Sequence, residues 1–227
     1  MIIDYLGGQI DLNRADDNMS ALMAESKWEH RKVAYLQEHL KPGMVFVDAG
    51  AHIGYFTLIA AKLVGESGHV YAYEPDPQNW RRLVDNVIRN CYTWVHYPPV
   101  GLSEQPEDLR LYQHPNSAFS SVERVSEISR VIAVRRMDNL LQYVPLDMVK
   151  VDVEAHEAAV LRGMTGLFER FQPLTLLMDL HPELGANNHD VEVILKLYGF
   201  SLFDMRNDNA PIDHISPTLV ELLAVRG

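Results

Sequence analysis

Short β-branched or apolar runs alternate with segments of helical period along nearly the whole chain, and no other feature constrains the fold as strongly. That alternation predicts repeated βα units on a doubly wound, mostly parallel α/β sheet, because each helix must cover a sheet face before the chain returns in the same direction. Met44 to Val47 reads as a short buried strand, and Tyr55 to Val64 as an amphipathic helix with Phe56, Ile59, Ala60 and Leu63 at three- and four-residue steps. His69 to Tyr73 is the second strand and Gln78 to Asn90 the next helix, whose stripe of Trp80, Leu83, Val84, Val87 and Ile88 is read as core. Thr93 to Tyr97, Met148 to Val153 and Leu174 to Leu180 supply the third, fourth and fifth strands, with helices at Glu157 to Met164 and Val191 to Tyr198. Phe200 to Phe203 and Leu219 to Val225 are expected to finish the sheet as an antiparallel pair.

Upstream, Ser20 to Leu40 reads as a helix, with Ser20 as N-cap and Ala21, Val33, Leu36 and Leu40 among its apolar positions, stopped by Lys41-Pro42-Gly43. It is placed over the sheet edge or a bound cofactor, within a helical segment running to about residue 43. Leu109 to Tyr112 and Val131 to Val134 look like extra, antiparallel strands inside an insertion over about residues 103 to 137. Its Asn116, Ser117, Ser120 and Ser121 read first as a solvated loop and second as polar residues shaping an acceptor pocket.

With 227 residues, 47% of them hydrophobic and 22% charged, the chain can bury a full core, so residues 1 to 227 are expected to form one domain. A formal net charge of -11, with 20 Lys and Arg residues scattered rather than blocked, argues against nucleic acid as a substrate. Met1 to Gly8 lacks the basic flank and cleavage site of a signal peptide, and no apolar run approaches the roughly 20 residues that span a bilayer. A cytoplasmic protein with no membrane partner is expected. The single cysteine, Cys91, excludes an internal disulfide and a thiolate metal site, and reads as a small core or subsurface residue.

The chemistry concentrates where the first strand turns into its helix, Asp48-Ala49-Gly50-Ala51-His52-Ile53-Gly54. In open α/β sheets ligands bind at this carboxyl edge. Gly50 would admit a ligand close to the backbone, and Gly54 would let helix and strand pack closely. A nicotinamide-binding turn is the competitor, since Glu74 sits about where a ribose-binding acid is expected. Such a turn needs a glycine where this chain has Asp48, and a carboxylate there would repel pyrophosphate. The same carboxylate suits S-adenosylmethionine, which carries an ammonium and a sulfonium and no phosphate. Glu74, in Tyr71-Ala72-Tyr73-Glu74-Pro75-Asp76-Pro77, can accept both vicinal ribose hydroxyls, Pro75 stops the strand, and Asp76 reads as a helix-start residue.

Phe46 to Thr57 and Tyr71 to Pro77 together resemble the signature of the FkbM methyltransferase family. Met137-Asp138-Asn139-Leu140 resembles that family's leucine-aspartate element, and Val149 to Glu157 with Val160-Leu161-Arg162-Gly163 resembles its D-V-E-G-A-E block, so ordered motifs cover roughly residues 44 to 180. Two departures stand out: Ala155 and His156 replace the block's usual glycine and alanine, and the acid on the fifth strand appears as Asp179. The resemblance implies a class I methyltransferase (Rossmann-like) fold with a seven-stranded, mostly parallel sheet whose last strand is antiparallel. It also implies S-adenosylmethionine as cofactor and O-methylation of sugars, polyketides or other secondary metabolites. The cofactor contacts expected are Asp48, Gly50, His52, Gly54, Tyr55, Phe56, Glu74, Pro75, Gly101, Leu102 and Asp152.

Methyl transfer is an in-line displacement at carbon, so alignment and removal of a hydroxyl proton are the main demands. Asp152 and Glu154 after strand four, and Asp179 and His181 after strand five, are predicted to face one opening, and His181, Glu154 and His156 are the proton-acceptor candidates. Catechol-type methyltransferases hold a divalent metal with acids at these two strand ends, so Asp152 and Asp179 are candidate ligands for a cation such as magnesium. A small-molecule or glycan acceptor is expected, with a homodimer left open. N-methylation, nicotinamide-dependent oxidoreduction and a non-catalytic cofactor-binding scaffold are the alternatives.

Overall fold

The computed structural model describes residues 2–5, 8–12, 28–112, 121–122 and 128–227. In chain order its strands are β1 (Ile2–Tyr5), β2 (Gly8–Asp11), β3 (Val45–Ala49), β4 (His69–Tyr73), β5 (Val95–His96), β6 (Gly101–Leu102) and β7 (Glu107–Tyr112). They continue with β8 (Ser129–Arg135), β9 (Met148–Val151), β10 (Leu174–Asp179), β11 (Ser201–Asp204), β12 (Ala210–Ile212) and β13 (Glu221–Arg226). The helices are α1 (His30–His39), α2 (Tyr55–Val64), α3 (Pro77–Arg89), α4 (Met137–Leu140), α5 (Glu157–Arg162), α6 (Thr165–Arg170) and α7 (Asn188–Leu197).

Among the described residues the main sheet has eight strands in the order β12-β11-β13-β10-β9-β3-β4-β5. Strands β5, β4, β3, β9 and β10 are mutually parallel, and β13 inserts antiparallel between β10 and β11. Seven of these strands reproduce the expected sheet with its antiparallel last strand, and β12 adds an eighth, antiparallel to β11 at the edge. The expected insertion is a separate sheet in the order β6-β8-β7, with β7 and β8 antiparallel as anticipated and β6 joining parallel to β8.

The period of two along each central strand sorts side chains between the two helical layers. From β3 and β9, Val45, Val47, Ala49, Val149 and Val151 face Val160, Leu161, Leu167, Phe168 and Leu195 of α5, α6 and α7. Phe46 and Met148 face the opposite way, toward Leu36, Phe56, Ile59, Leu83 and Val87 of α1, α2 and α3. By the same alternation Asp48 and Lys150 fall on the α2 side, and they are register partners across the β3–β9 ladder.

Some expectations need correction. The N-terminal segment opens with an antiparallel β1–β2 hairpin rather than helix. Asn86 of α3 and Asn90 at its C-terminal cap hold β2 there by accepting from the Asp11 and Gln9 amides. Of the helix expected over 20 to 40, α1 starts at His30, while Ser20 and Ala21 lie outside the described residues, as do Asn116, Ser117 and Ser120. Leu83 and Val87 are core, but Ile88 is 61% exposed because it lies on the outer face of α3. Cys91 is likewise exposed, at a positive φ in the turn that ends α3. No helix among the described residues is long and apolar enough to cross a membrane.

Candidate active site

A cavity of about 300 Å³ opens at the carboxyl edge of β3, β4, β9 and β10. Its floor is the turn from β3 into α2. Gly50 adopts φ +82°, and a Cβ there would lie 1.8 Å from the backbone oxygen of Asp152, so this glycine serves the crossing of two strand ends, not only the approach of a ligand. Gly54, at φ +94°, does not line the cavity, and a Cβ on it would meet Leu83 of α3 at 2.7 Å. The turn's amides are committed: Gly50 and Ala51 both donate to the Tyr73 carbonyl at 3.0 Å, and His52 donates to Glu74 Oε2 at 2.8 Å. A pyrophosphate would find no free amide nest at these three residues and would meet Glu74 instead, which weighs against a dinucleotide.

Glu74 lines the cavity with its carboxylate pinned from behind, because Asp76 N donates to Oε1 at 2.8 Å while His52 holds Oε2. Burial pushes this carboxyl up to about 7, against the pull of those two amides. Asp76 caps α3 as expected, accepting from Gln78 N at 2.7 Å and Asn79 N at 3.3 Å ahead of Pro77. His52 also lines the cavity, and burial lowers its imidazole to about 4, so it is neutral.

Asp48 does not reach the cavity. It is fully buried beneath the turn, where Thr57 Oγ1 of α2 donates to Oδ2 at 2.6 Å and Lys150 Nζ lies 3.5 Å from Oδ1. The expected meeting of this carboxylate with a cationic ligand is therefore replaced by an internal pairing with Lys150, a residue the sequence reading passed over. Lys150 also donates to Asp152 Oδ2 at 3.1 Å and to the Gly50 carbonyl at 3.3 Å, and its ammonium lies 5.2 Å from the Phe56 ring centroid. Burial disfavours its charge, but Asp152 and Asp48 outweigh that and keep it a cation.

Asp152, Glu154, Asp179 and His181 share the cavity as predicted. His181 Nδ1 lies 2.7 Å from Oε1 of buried Glu157, and its Nε2 lies 3.7 Å from both Asp152 Oδ1 and Glu154 Oε2. Burial opposes protonation of this imidazole, but Glu157, Asp152 and Glu154 together raise it to about 10, so it is a cation at neutral pH and not a resting proton acceptor. Glu154 goes the other way: burial, then repulsion from Asp152, push its carboxyl up to about 8 despite His181. Consecutive left-handed residues, Glu154 at φ 52° and Ala155 at φ 77°, shape this turn, with Ala155 standing where the resembled motif has glycine. His156 lines the cavity through a 3.0 Å contact between Nε2 and Ser103 Oγ.

Among the described residues, metal-ligating side chains fall within 4.8 Å of one another in two sets, Asp152 with Glu154 and His181, and Glu29 with Asp152 and Asp179. They do not fit a divalent cation. Lys32, fully buried on α1, binds Asp179 at 2.6 Å and Glu29 at 2.8 Å, and Lys150 holds Asp152, so ammonium groups already occupy the positions from which a metal would draw its charge compensation. Magnesium at Asp152 and Asp179 would have to displace both.

Tyr55, Phe56, Pro75, Gly101 and Leu102, named above as cofactor contacts, line the cavity. Unforeseen are Trp28 and Glu29 ahead of α1, and an apolar wall of Leu111, Ile132 and Val134 from the small sheet with Val122 packed against it. The available signal for Lys150 was a charge inside an otherwise apolar run, Met148-Val149-Lys150-Val151, which a strand buried on both faces tolerates only with a partner. Glu157 gave no comparable signal, since a first-turn helix acid is usually solvated.

The chain matches the Methyltransferase FkbM domain over residues 48–202. Among similar proteins, the hexuronic acid methyltransferase AglP of Haloferax volcanii is 29% identical over 170 residues, covering 74% of this chain and 67% of that protein. Methyltransferase 1 of Beauveria bassiana is 26% identical over 195 residues, with 74% and 76% covered. A Streptococcus mutans methyltransferase solved in complex with S-adenosylhomocysteine superposes with a TM-score of 0.54 at 13% identity, over 87% of this chain and 96% of that one. Magnesium protoporphyrin IX methyltransferase of Synechocystis, solved with bound S-adenosylmethionine, gives 0.52 at 14% identity over 96% and 86%. At these identities the structural likeness speaks for the fold.

Proposed function

The chain belongs to the FkbM methyltransferase family, and on that premise we propose that it transfers the methyl group of S-adenosylmethionine to a hydroxyl of a small molecule or glycan. The observation that carries this reading is a single cavity joining Glu74, after the second parallel strand, to Glu154 and His181, after the fourth and fifth. The donor set suits a phosphate-free, net cationic cofactor, since carboxylates rather than free backbone amides face the opening. When bound, S-adenosylmethionine supplies an electrophilic methyl group on a cationic sulfur.

Each cavity residue then has work it can do. Each Glu74 oxygen accepts one backbone amide and keeps lone-pair capacity for the vicinal hydroxyls of a ribose. Asp152, which burial would raise but Lys150, His181 and Lys32 hold below the usual carboxylate range, presents a permanent negative charge. Glu154 takes the acceptor hydroxyl's proton, because a carboxyl raised toward neutrality is a stronger base than an exposed one. His181, anchored by Glu157, keeps Asp152 and Glu154 side by side against their mutual repulsion. Tyr55 and Phe56, both almost fully buried, with Trp28 packed beside them, restrict water at the transfer point. A sugar-type acceptor is supported by the relative whose name specifies hexuronic acid methylation.

The test is a screen of the purified protein with S-adenosylmethionine and a panel of neutral sugars, uronic acids, phenols and aliphatic alcohols. Mass spectrometry of S-adenosylhomocysteine and of the methylated product should show acceptor-dependent turnover with the new methyl on oxygen. Turnover confined to amine acceptors would overturn the reading.

A further inference from the structure

We infer that Lys150 is a positioning residue for the cofactor: it neutralises the buried Asp48 carboxylate and, through the same ammonium, fixes the Asp152 carboxylate toward the cavity. The inference rests on S-adenosylmethionine as the cofactor and goes beyond it in assigning which carboxylate meets that ligand and what orients it.

The geometry is that of a three-way clamp. Lys150 sits directly opposite Asp48 in the β3–β9 ladder, with its side chain only 3% exposed. Its Nζ has three oxygen neighbours, Asp152 Oδ2 at 3.1 Å, Gly50 O at 3.3 Å and Asp48 Oδ1 at 3.5 Å. One cation thus ties two strand ends and the glycine turn together at the cavity floor. Thr57 donates to Asp48 Oδ2 and the Lys150 ammonium faces Oδ1, so Asp48 is held below the floor, whereas Asp152 keeps its Oδ1 toward the opening beside His181. A bare Asp48 would place a second uncompensated charge under the site, and without Lys150 the Asp152 carboxylate would lose its fixed direction. Burial acts to raise Asp152, and Lys150 is the first of the cations that hold it ionised.

Replacing Lys150 alone would leave Asp48 a buried charge with no counter-ion, which is strongly destabilising, so the test uses the charge-balanced pair Asp48→Asn with Lys150→Met. Folding is checked by circular dichroism and thermal unfolding, and S-adenosylmethionine affinity by calorimetry in the wild type, the pair, Asp152→Asn, and all three combined. The pair should fold and bind roughly tenfold or more weakly, the scale of a lost charge-assisted contact. Asp152→Asn should weaken binding similarly, and the triple variant should be no weaker than Asp152→Asn, because Lys150 acts through Asp152. A pH series separates orientation from general destabilisation. Glu29, Lys32, Glu154 and His181 face Asp152 in both proteins, whereas Glu74 loses Asp48 and Asp179 loses Lys150 as a neighbour, so those two are controlled for by comparing the triple variant with Asp152→Asn at each pH, and Asp152 itself protonates more readily once Lys150 is gone. The ratio of wild-type to paired-variant affinity should therefore widen as pH falls from 7 to 5. Wild-type affinity in the folded pair, strictly additive losses, or a ratio flat with pH would each overturn the inference alone. A wild-type chain that binds no S-adenosylmethionine would overturn the functional reading with it.

Discussion

At the scale of single residues, the deciding quantity is where each carboxylate sits relative to the cations that face it. Asp48 and Glu74 looked equivalent along the sequence, both acids at the ends of adjacent strands, yet one is sealed under the turn with Lys150 while the other lines the cavity. Periodicity could assign the ends of β3 and β4 but not the side-chain partner contributed by β9, because that pairing depends on strand order. The same holds for His181, which suggested a base until Glu157 came within 2.7 Å of it. This carries a pH prediction. Glu154, raised to about 8, is competent as a base only when ionised, so kcat/KM should climb as pH rises through about 8. His181 is raised to about 10, so its positive charge persists across that climb and is lost only at higher pH, where the rate should fall again. Glu154→Gln should lower kcat by roughly 10²- to 10⁴-fold and remove the ascending limb. An ascending limb retained by that variant would move the base elsewhere.

At the scale of elements, the helices and strands whose own pattern dictates them were legible, and those defined by distant partners were not. Tyr55–Val64 and His69–Tyr73 match their expected bounds, since each carries its own apolar period and its own stop, Gly65 for the helix and Pro75 soon after the strand. The short β6 exists because it pairs with β8, more than 25 residues later, and nothing local distinguishes Gly101-Leu102 as strand. The leucine-aspartate element turns out to be a helix-to-helix brace. Asp138, in α4, accepts from Leu167 N at 2.9 Å and Gly166 N at 3.2 Å, satisfying the first amides of α6, and its Oδ2 also receives Arg136 at 2.8 Å. Asp138 does not line the cavity, so its contribution is to stability. Asp138→Ala should lower the unfolding free energy by about 0.5 to 2 kcal/mol, measured by denaturant titration, with S-adenosylmethionine affinity unchanged. A loss of affinity without a loss of stability would give this acid a role in the site.

At the scale of the whole molecule, the doubly wound sheet followed from the βα alternation, but the insertion of β13 between β10 and β11 and the extra edge strand β12 are long-range choices made by the C-terminal segment. The cavity at the carboxyl edge is where that topology brings the acids of β4, β9 and β10 together, in a chain already at a formal net charge of -11. Crowding carboxylates around an opening favours the bound state of a cationic ligand over the empty one, and a ligand that binds only the folded chain stabilises it in proportion to its saturation. At 100 times its dissociation constant, S-adenosylmethionine should add about 2.7 kcal/mol. For a domain of this size that corresponds to a rise in Tm of roughly 5 to 11 °C, at about 2 to 4 °C per kcal/mol. NADH at the same concentration should leave Tm in place, since the turn's amides are committed to Tyr73 and Glu74 and its pyrophosphate would meet the carboxylates that draw the sulfonium in. Differential scanning fluorimetry with the two ligands side by side reads this directly, and an equal shift with NADH would mean that charge does not select the ligand at this sheet edge.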